Sequence, residues 1–194
     1  MSVMNSKSVW GLPARVIHWV MALMIFGLLG VGSYMTDLPI GFERIEMTQT
    51  HKSVGFVVFT LAVLRVLWRF ANRTSPELPE EMPSWQKRAS HWSHRALYVL
   101  IFLMPLSGWL MSTASPLNDP DAYPVQIKNQ VFGLFEMPDP FPTGNEALSD
   151  FFATVHEYTA LVLAILVVVH ILAALKHHLI DKDRILMRMI SGKG

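Results

Sequence analysis

Residues 156–170 read HEYTALVLAILVVVH, and this stretch decides the class of fold. Two histidines bracket a run in which most residues are Leu, Val, Ile or Ala. A helix of this composition is apolar on every face, which is typical of a membrane span or a deeply buried helix. The spacing of fourteen residues places His156 and His170 on one face of that helix, about 21 Å apart along its axis. This geometry suits two cofactors held at two depths by one helix.

The composition of the whole chain also indicates a membrane protein. Its 194 residues are 52% hydrophobic and only 16% charged, whereas a soluble domain has roughly 25% charged residues. The net charge of +1 provides no basic excess, so no nucleic-acid partner is expected. The chain has no cysteine, which excludes thiolate-bound iron–sulfur clusters, disulfides and c-type haem attachment. A redox cofactor would need other ligands, and the chain has eight histidines.

Four stretches are long and apolar enough to cross a hydrocarbon core, which takes about 20 helical residues. They predict an all-α fold, an integral membrane four-helix bundle that forms a single domain over residues 1–194. The expected helices span about 14–35, 51–70, 94–113 and 154–178. The connections between them are rich in proline, glycine or charged residues, as loops are.

The distribution of Lys and Arg predicts the direction of the chain across the membrane. Basic residues concentrate at the end that would hold both termini and the 71–93 connection. The 36–50 and 114–153 connections together contain only Arg44 and Lys128, among more numerous acidic residues. Because cytoplasmic loops carry the excess of Lys and Arg, both termini are expected in the cytoplasm. The long loop between helices three and four is then expected outside.

With this direction, the histidines of the four spans fall at two levels. His51 and His156 share the outer level, and His18, His94 and His170 share the inner one. A low-spin haem b takes one imidazole on each side of its iron. The outer pair is therefore predicted to be His51 with His156. The inner pair is His170 with either His18 or His94, and the spacing leaves both open.

Other residues on the same helix faces are candidates for contact with the haems. Glycine allows a flat macrocycle to approach a helix closely, so Gly32, Gly55 and Gly108 are expected to face the cofactors. Arg65 stands fourteen residues after His51, on the stripe of the second span that faces the haem. It is expected to form a charge-assisted hydrogen bond with a haem propionate.

A further histidine, His177, lies two turns beyond His170 at the cytoplasmic interface. A histidine there is suited to hydrogen-bonding a quinone carbonyl or relaying its proton. The alternative is that His177, with Lys176 and His178, forms a basic cluster that extends to the interface and only sets topology.

Several motifs resemble the bacterial cytochrome b561 family of four-helix, dihaem membrane proteins, and the resemblance covers residues 12–190. The motifs are RVIHWV, THKSVGFVVFTLAVLRVLWR, SHWSHRALYVL and, the most specific, HEYTALVLAILVVVHILAALKHHLIDKDRILMRM. The resemblance implies a multi-pass protein of the bacterial inner membrane with two haems b. It assigns the inner haem to His18 with His170 and the outer haem to His51 with His156. It also implies electron transfer between a quinone at the cytoplasmic side and a periplasmic redox partner. One branch of the family is similar to superoxide oxidase.

The 114–153 loop departs from what a superoxide-oxidising member needs. It is acidic, and a negative surface field does not favour an anionic donor such as superoxide. The periplasmic electron donor or acceptor therefore stays unknown, and VFGLFEMP, residues 131–138, is expected to cover the outer haem as a lid. Two alternatives remain. The chain is the haem-bearing membrane subunit of a larger dehydrogenase or hydrogenase, or it is a haem-free bundle that binds or transports transition metals.

Overall fold

The fold is dominated by four long helices. The computed structural model describes residues 2–119, 121, 128–141 and 143–192. Its long helices are α1 (Leu12–Asp37), α2 (Phe42–Ala71), α3 (Ser84–Thr113) and α4 (Glu146–Leu179). Smaller elements are a 3-10 turn (Pro116–Asn118), strands β1 (Gln130–Val131) and β2 (Phe135–Glu136), and helix α5 (Ile185–Ile190). All four long helices are long and apolar enough to cross a membrane. The predicted all-α membrane fold is therefore confirmed.

Three helices begin earlier than the apolar spans indicated. Helix α2 starts at Phe42 rather than at 51, α3 at Ser84 rather than at 94, and α4 at Glu146 rather than at 154. The apolar stretch covers only the part of a helix that lies in the hydrocarbon core. Each helix extends beyond this stretch, until it reaches residues that favour a helix boundary. Those residues are the usual helix boundary signals. Asn145, for example, caps α4 by accepting a hydrogen bond at its Oδ1 from the backbone N–H of Leu148, at 3.0 Å.

The packing divides the chain into two compact units, and each of the four long helices contributes to both. The first unit comprises Met1–Leu23, Leu61–Val99 and Leu163–Gly194, and the second comprises Met24–Thr60 and Leu100–Val162. Met21, Ala62 and Leu163 are buried in the first unit, and Val58, Ala114 and Val131 are buried in the second. Many large apolar side chains on the helices are more than half exposed, for example Leu23, Val99 and Leu172. Exposure of this kind suits helices whose outer surface contacts lipid.

In the first unit, helix α5 packs against the start of α1 and against the connection between α2 and α3. Trp19 Nε1 donates a hydrogen bond to the carbonyl of Met189 at 3.1 Å, and Arg15 Nη1 donates to the carbonyl of Ile190 at 3.2 Å. Arg188 Nη1 donates to the carbonyl of Glu77 at 2.6 Å. These contacts attach the chain's C-terminal segment to the end of the unit that also holds His177.

In the second unit, part of the long connection between α3 and α4 folds into a hairpin. Strands β1 and β2 are antiparallel, with Val131 opposite Phe135. The hairpin packs on α2 beside Ser53 and Phe56, which follow His51 within the next two turns of that helix. The stretch 131–138 therefore packs near the outer histidines, while its expected role as a lid over a haem stays a prediction.

Candidate functional site: two histidine clusters

The second unit brings His51 of α2 and His156 of α4 together. Their ring centres lie 6.4 Å apart and the ring planes meet at 74°. The pair predicted for the outer level is thus adjacent in the structure. Its members come from helices far apart in the sequence, so the tertiary packing and not local structure brings the two rings together.

Hydrogen bonds fix which nitrogen of His156 carries the proton. The Nδ1 of His156 lies 3.0 Å from the carbonyl oxygen of Met104, which can only accept, so Nδ1 donates. The buried hydroxyl of Ser107 donates to the same carbonyl at 2.9 Å and lies 3.2 Å from Nδ1. The Nε2 of neutral His156 therefore keeps its lone pair. A histidine that binds a metal through Nε2 is typically held in this way by its other nitrogen.

Two glycines accommodate the rings of this pair. A Cβ added at Gly108 would lie 2.9 Å from Cε1 and 3.1 Å from Nδ1 of His156. A Cβ added at Gly32 would lie 3.2 Å from Cε1 of His51. These glycines make room for the rings of the ligand candidates, and their expected contact with a macrocycle stays a prediction. At Gly55 an added Cβ meets no described protein atom within 4 Å.

The first unit gathers three histidines. The ring centres of His18 and His170 lie 6.3 Å apart with the planes at 68°, and those of His94 and His170 lie 5.3 Å apart with the planes at 82°. The Nδ1 of His94 donates to the carbonyl of Ser90 at 2.7 Å, so its Nε2 keeps a lone pair. Both partners that the sequence left open for His170 are thus within reach of it.

Arg65 contacts this cluster directly. Its Nη1 donates to Nδ1 of His18 at 3.2 Å, because a guanidinium has no acceptor. Its Nε donates to the hydroxyl of Tyr98 at 3.3 Å, and the guanidinium carbon lies 5.5 Å from the centre of the Tyr98 ring. Arg65 therefore places a positive charge beside His18, on the helix face where the sequence predicted it.

His177 is the polar centre of a third group, at the end of α4. Its Nδ1 lies 2.7 Å from Oδ2 of Asp183 and 3.0 Å from Oδ2 of Asp181. The ammonium of Lys176 lies 2.6 Å from the same Asp181 oxygen. The ligand atoms of this histidine and two aspartates are close enough to hold a metal ion, but the Lys176 ammonium already neutralises one carboxylate and would repel a cation. Sequence analysis missed both aspartates, although the motif HHLIDKD places them four and six residues after His177.

A positive side chain also lies beside the second unit's histidine pair. Lys52, the neighbour of His51, donates from Nζ to Oδ1 of Asn129 at 2.8 Å. The hydroxyl of Ser112 donates to the same oxygen. Lys128, by contrast, is paired with Glu136 at 2.9 Å. Lys52, which follows His51 in the chain, thus bonds to a neutral amide, while the charge of Lys128 is compensated.

Comparison with known proteins identifies the family. The model for the family described as prokaryotic cytochrome b561 matches residues 9–192. The chain is 34% identical over 192 residues to cytochrome b561 homolog 2 of Escherichia coli K12, covering 98% of this chain and 95% of that protein. It is 27% identical to cytochrome b561 homolog 1 of the same organism, covering 90% and 92% of the two chains. It is also 27% identical to a protein of Yersinia pestis called probable superoxide oxidase CybB, covering 91% and 93%. The chain therefore belongs to the prokaryotic cytochrome b561 family, whose members are electron-transfer proteins of the bacterial inner membrane with haem b as cofactor.

Proposed function

We propose that this chain binds two haems b, one between His51 and His156 and one between His18 and His170. We further propose that it passes electrons between a quinone at the cytoplasmic side, near His177, and a periplasmic redox partner. The observation that carries the proposal is the equal spacing of the two histidine pairs, 6.4 Å and 6.3 Å between ring centres.

This spacing fits coordination of one metal ion by two imidazoles. An imidazole nitrogen binds a metal at about 2 Å, so two rings on opposite sides of one ion have centres about 6 Å apart. The buried Nδ1 of His51 has no hydrogen-bond partner among the described residues, which is unusual for a buried polar atom. If iron binds Nε2, the proton on this Nδ1 needs an acceptor that the described residues do not supply. The 5.3 Å between His94 and His170 is shorter than this arrangement needs, which favours His18 as the inner ligand.

Haem binding at the inner site also depends on which ring nitrogen of His18 carries the proton. An imidazole that binds iron through Nε2 carries its proton on Nδ1, and in His18 this proton would point at the Arg65 guanidinium. Two donors cannot share that contact, so Arg65 must turn away from His18 when the site is filled. Its stacking on Tyr98 can persist, and its charge becomes available to an anionic group such as a propionate.

When bound, haem b supplies one-electron oxidation and reduction at its iron. The paired histidines would hold the haem irons, and the chemistry supplied there would be electron transfer. The chain's own contribution is to hold the sites, to keep water out with apolar helices, and to set the potentials through hydrogen bonds such as that from His156 to the Met104 carbonyl.

His177 is the residue that we propose to serve the quinone. Reduction of a quinone takes two electrons and two protons, so the site needs a proton donor. Neutral or protonated imidazole is suited to this near neutral pH. The two aspartates on Nδ1 of His177 hold the ring in place and keep a proton on that nitrogen, which leaves Nε2 to exchange a proton with the quinone oxygen.

A superoxide oxidase function is a second candidate, and Lys52 favours it. An amine next to His51 provides a positive charge that would attract an anionic donor, and one relative is named a probable superoxide oxidase.

The experiment that tests the function uses the purified, haem-loaded protein in liposomes. After reduction of the haems, a water-soluble ubiquinone analogue is added and the visible spectrum is followed. We expect prompt oxidation of both haems. A chain without haem absorbance would support the haem-free metal-binding alternative, and haems that the quinone leaves reduced would contradict the quinone assignment. Co-purification with a large catalytic protein would favour the dehydrogenase-subunit alternative.

A further inference from the structure

The hairpin of the second unit, formed by β1 and β2, is bound to one position along helix α2. The backbone N–H of Phe132 donates to the hydroxyl of Ser53 at 2.9 Å, and this hydroxyl lies 3.3 Å from the carbonyl of Gln130. The ring of Phe135 packs edge-on against the ring of Phe56, with centres 5.8 Å apart. Both strands therefore contact the same short stretch of α2.

That stretch lies where α2 becomes apolar. Lys52 is its last charged residue before an uncharged run that continues to Arg65, so Ser53 and Phe56 belong to the first turns of the membrane segment. Helix α3 gives a second marker of depth, because Trp109 donates from Nε1 to the carbonyl of Pro138 at 3.0 Å. Tryptophan is enriched at the level of the lipid headgroups. The hairpin thus lies at the level of a membrane interface.

The tip of the hairpin is apolar and points away from the protein. The tip consists of residues 132–135, Phe-Gly-Leu-Phe, and its three large side chains are 55%, 80% and 49% exposed for Phe132, Leu134 and Phe135. The opposite face of the same hairpin carries the buried Val131. A contiguous apolar tip of this kind marks a site of interaction with a partner or a membrane.

The backbone of the tip is strained in a way that favours the same conclusion. The N–H of Leu134 donates to the carbonyl of Val131 at 2.9 Å, with φ of +49° at Phe132 and +69° at Gly133. These are the signs of a type I′ turn, whose first central position favours Asn, Asp or Gly. A bulky residue at positive φ is a genuine outlier. Because the large aromatic residue Phe132 occupies this strained position, we infer that its side chain has a role.

We propose that the tip inserts into the lipid bilayer at the membrane interface. The exposed side chains of the tip are apolar, and the tip contacts α2 at the start of that helix's apolar segment. Insertion removes Phe132 and Leu134 from water, which offsets the strain of the turn. The paired strands stay at the headgroup level, where their outer edges can still be hydrated. Insertion would also anchor the segment that carries Asn129, and with it the hydrogen bond to Lys52 beside His51.

Because the chain has no cysteine, a single introduced cysteine can be labelled specifically. Leu134→Cys carries a nitroxide label in the oxidised, haem-loaded protein, reconstituted in liposomes of phosphatidylethanolamine and phosphatidylglycerol. Collision of the label with oxygen, which dissolves in lipid, is compared with collision with a neutral nickel chelate, which stays in water. Val162→Cys, on the exposed apolar face of α4, is the lipid reference. Ala147→Cys, exposed in the polar first turn of α4, is the water reference.

We expect the oxygen-to-nickel ratio at 134 to fall near that at 162 and to exceed that at 147 several-fold. A second variant, Phe132→Asn in the Leu134→Cys background, suits the turn better but removes the aromatic ring. It should lower the ratio at 134 toward that at 147. A ratio at 134 equal to that at 147 would overturn the proposal, and the tip would then be a surface for a periplasmic protein.

Discussion

The ring of His156 occupies the space that Gly108 leaves on helix α3, where a Cβ would approach its Cε1 to 2.9 Å. The same ring donates from Nδ1 to the carbonyl of Met104, one turn earlier on α3. Helix α3 thus provides no ligand to this pair but fixes the position, orientation and tautomer of one. This support explains how one ring on an apolar helix is held in a single orientation.

Gly108→Ala should therefore remove one haem without changing the fold. The added methyl group would collide with a ring that the Met104 hydrogen bond prevents from moving freely. We expect the haem-to-protein ratio of the purified variant to fall from two to one. Gly55→Ala is the matched control, since an added Cβ there meets no described atom within 4 Å. Equal haem content in both variants would mean that the Gly108 contact does not position His156.

Gly32 and Gly108 show which features of the site the sequence predicts and which it does not. Sequence analysis predicted that Gly32 and Gly108 lie on the helix faces that carry the histidines, because helical spacing is regular. It could not predict that each glycine receives a histidine ring, since that depends on the rotation of one helix against another.

The charge of Arg65 should raise the potential of the inner haem. Reduction adds one negative charge to a site beside this guanidinium, so replacement of the cation destabilises the reduced state. We expect Arg65→Leu to lower the midpoint potential of one haem by on the order of 50 to 100 mV, from Coulomb's law at an effective dielectric constant of about 20. The check is a spectroscopic redox titration.

Arg69, one turn further along α2, is the control for this effect. Its Nη1 donates to the backbone carbonyls of Arg73 and Thr74, so Arg69→Leu removes a similar charge from a different environment. A shift of equal size in both variants would assign the effect to overall charge rather than to the position of Arg65.

His177 and its aspartate should matter for the quinone and not for the haems. His177→Ala is expected to keep both haem spectra and to slow haem oxidation by quinone at least tenfold, which is about 1.4 kcal/mol in barrier. Asp183→Asn should slow the same step, because an amide no longer holds the imidazole proton as a carboxylate does. Stopped-flow mixing of reduced protein with quinone measures both. If His51 or Lys52 variants slow quinone reduction and His177→Ala does not, the quinone binds near His51 and the assignment to His177 is wrong.

The predicted direction of the chain can be checked by labelling single cysteines. Ser2→Cys should be protected from a membrane-impermeant maleimide in intact spheroplasts, because the distribution of basic residues predicts a cytoplasmic N-terminus. Ala147→Cys, in the first turn of α4, should react. Labels with the opposite pattern would reverse the topology and exchange the proposed cytoplasmic and periplasmic sites.

Sequence analysis missed several features of the structure for related physical reasons. The early starts of α2 and α3 lie in polar segments, where apolar length indicates nothing about the end of a helix. The hairpin escaped prediction because its turn carries Phe132–Gly133 instead of the Asn–Gly that favours this geometry. The aspartates beside His177 were missed since they follow the apolar run, in a segment whose chain reversal is set by tertiary contacts.

The central claim is that two histidine pairs each hold one haem, and the haem-to-protein ratio of single variants tests it most directly. The wild-type protein should contain two haems per chain, and His51→Ala should contain one with the spectrum and potential of the inner haem. His18→Ala should likewise retain one, while His94→Ala should retain two, since its ring stands closer to His170 than a shared iron allows. Two haems in His51→Ala, or one in His94→Ala with two in His18→Ala, would contradict the account.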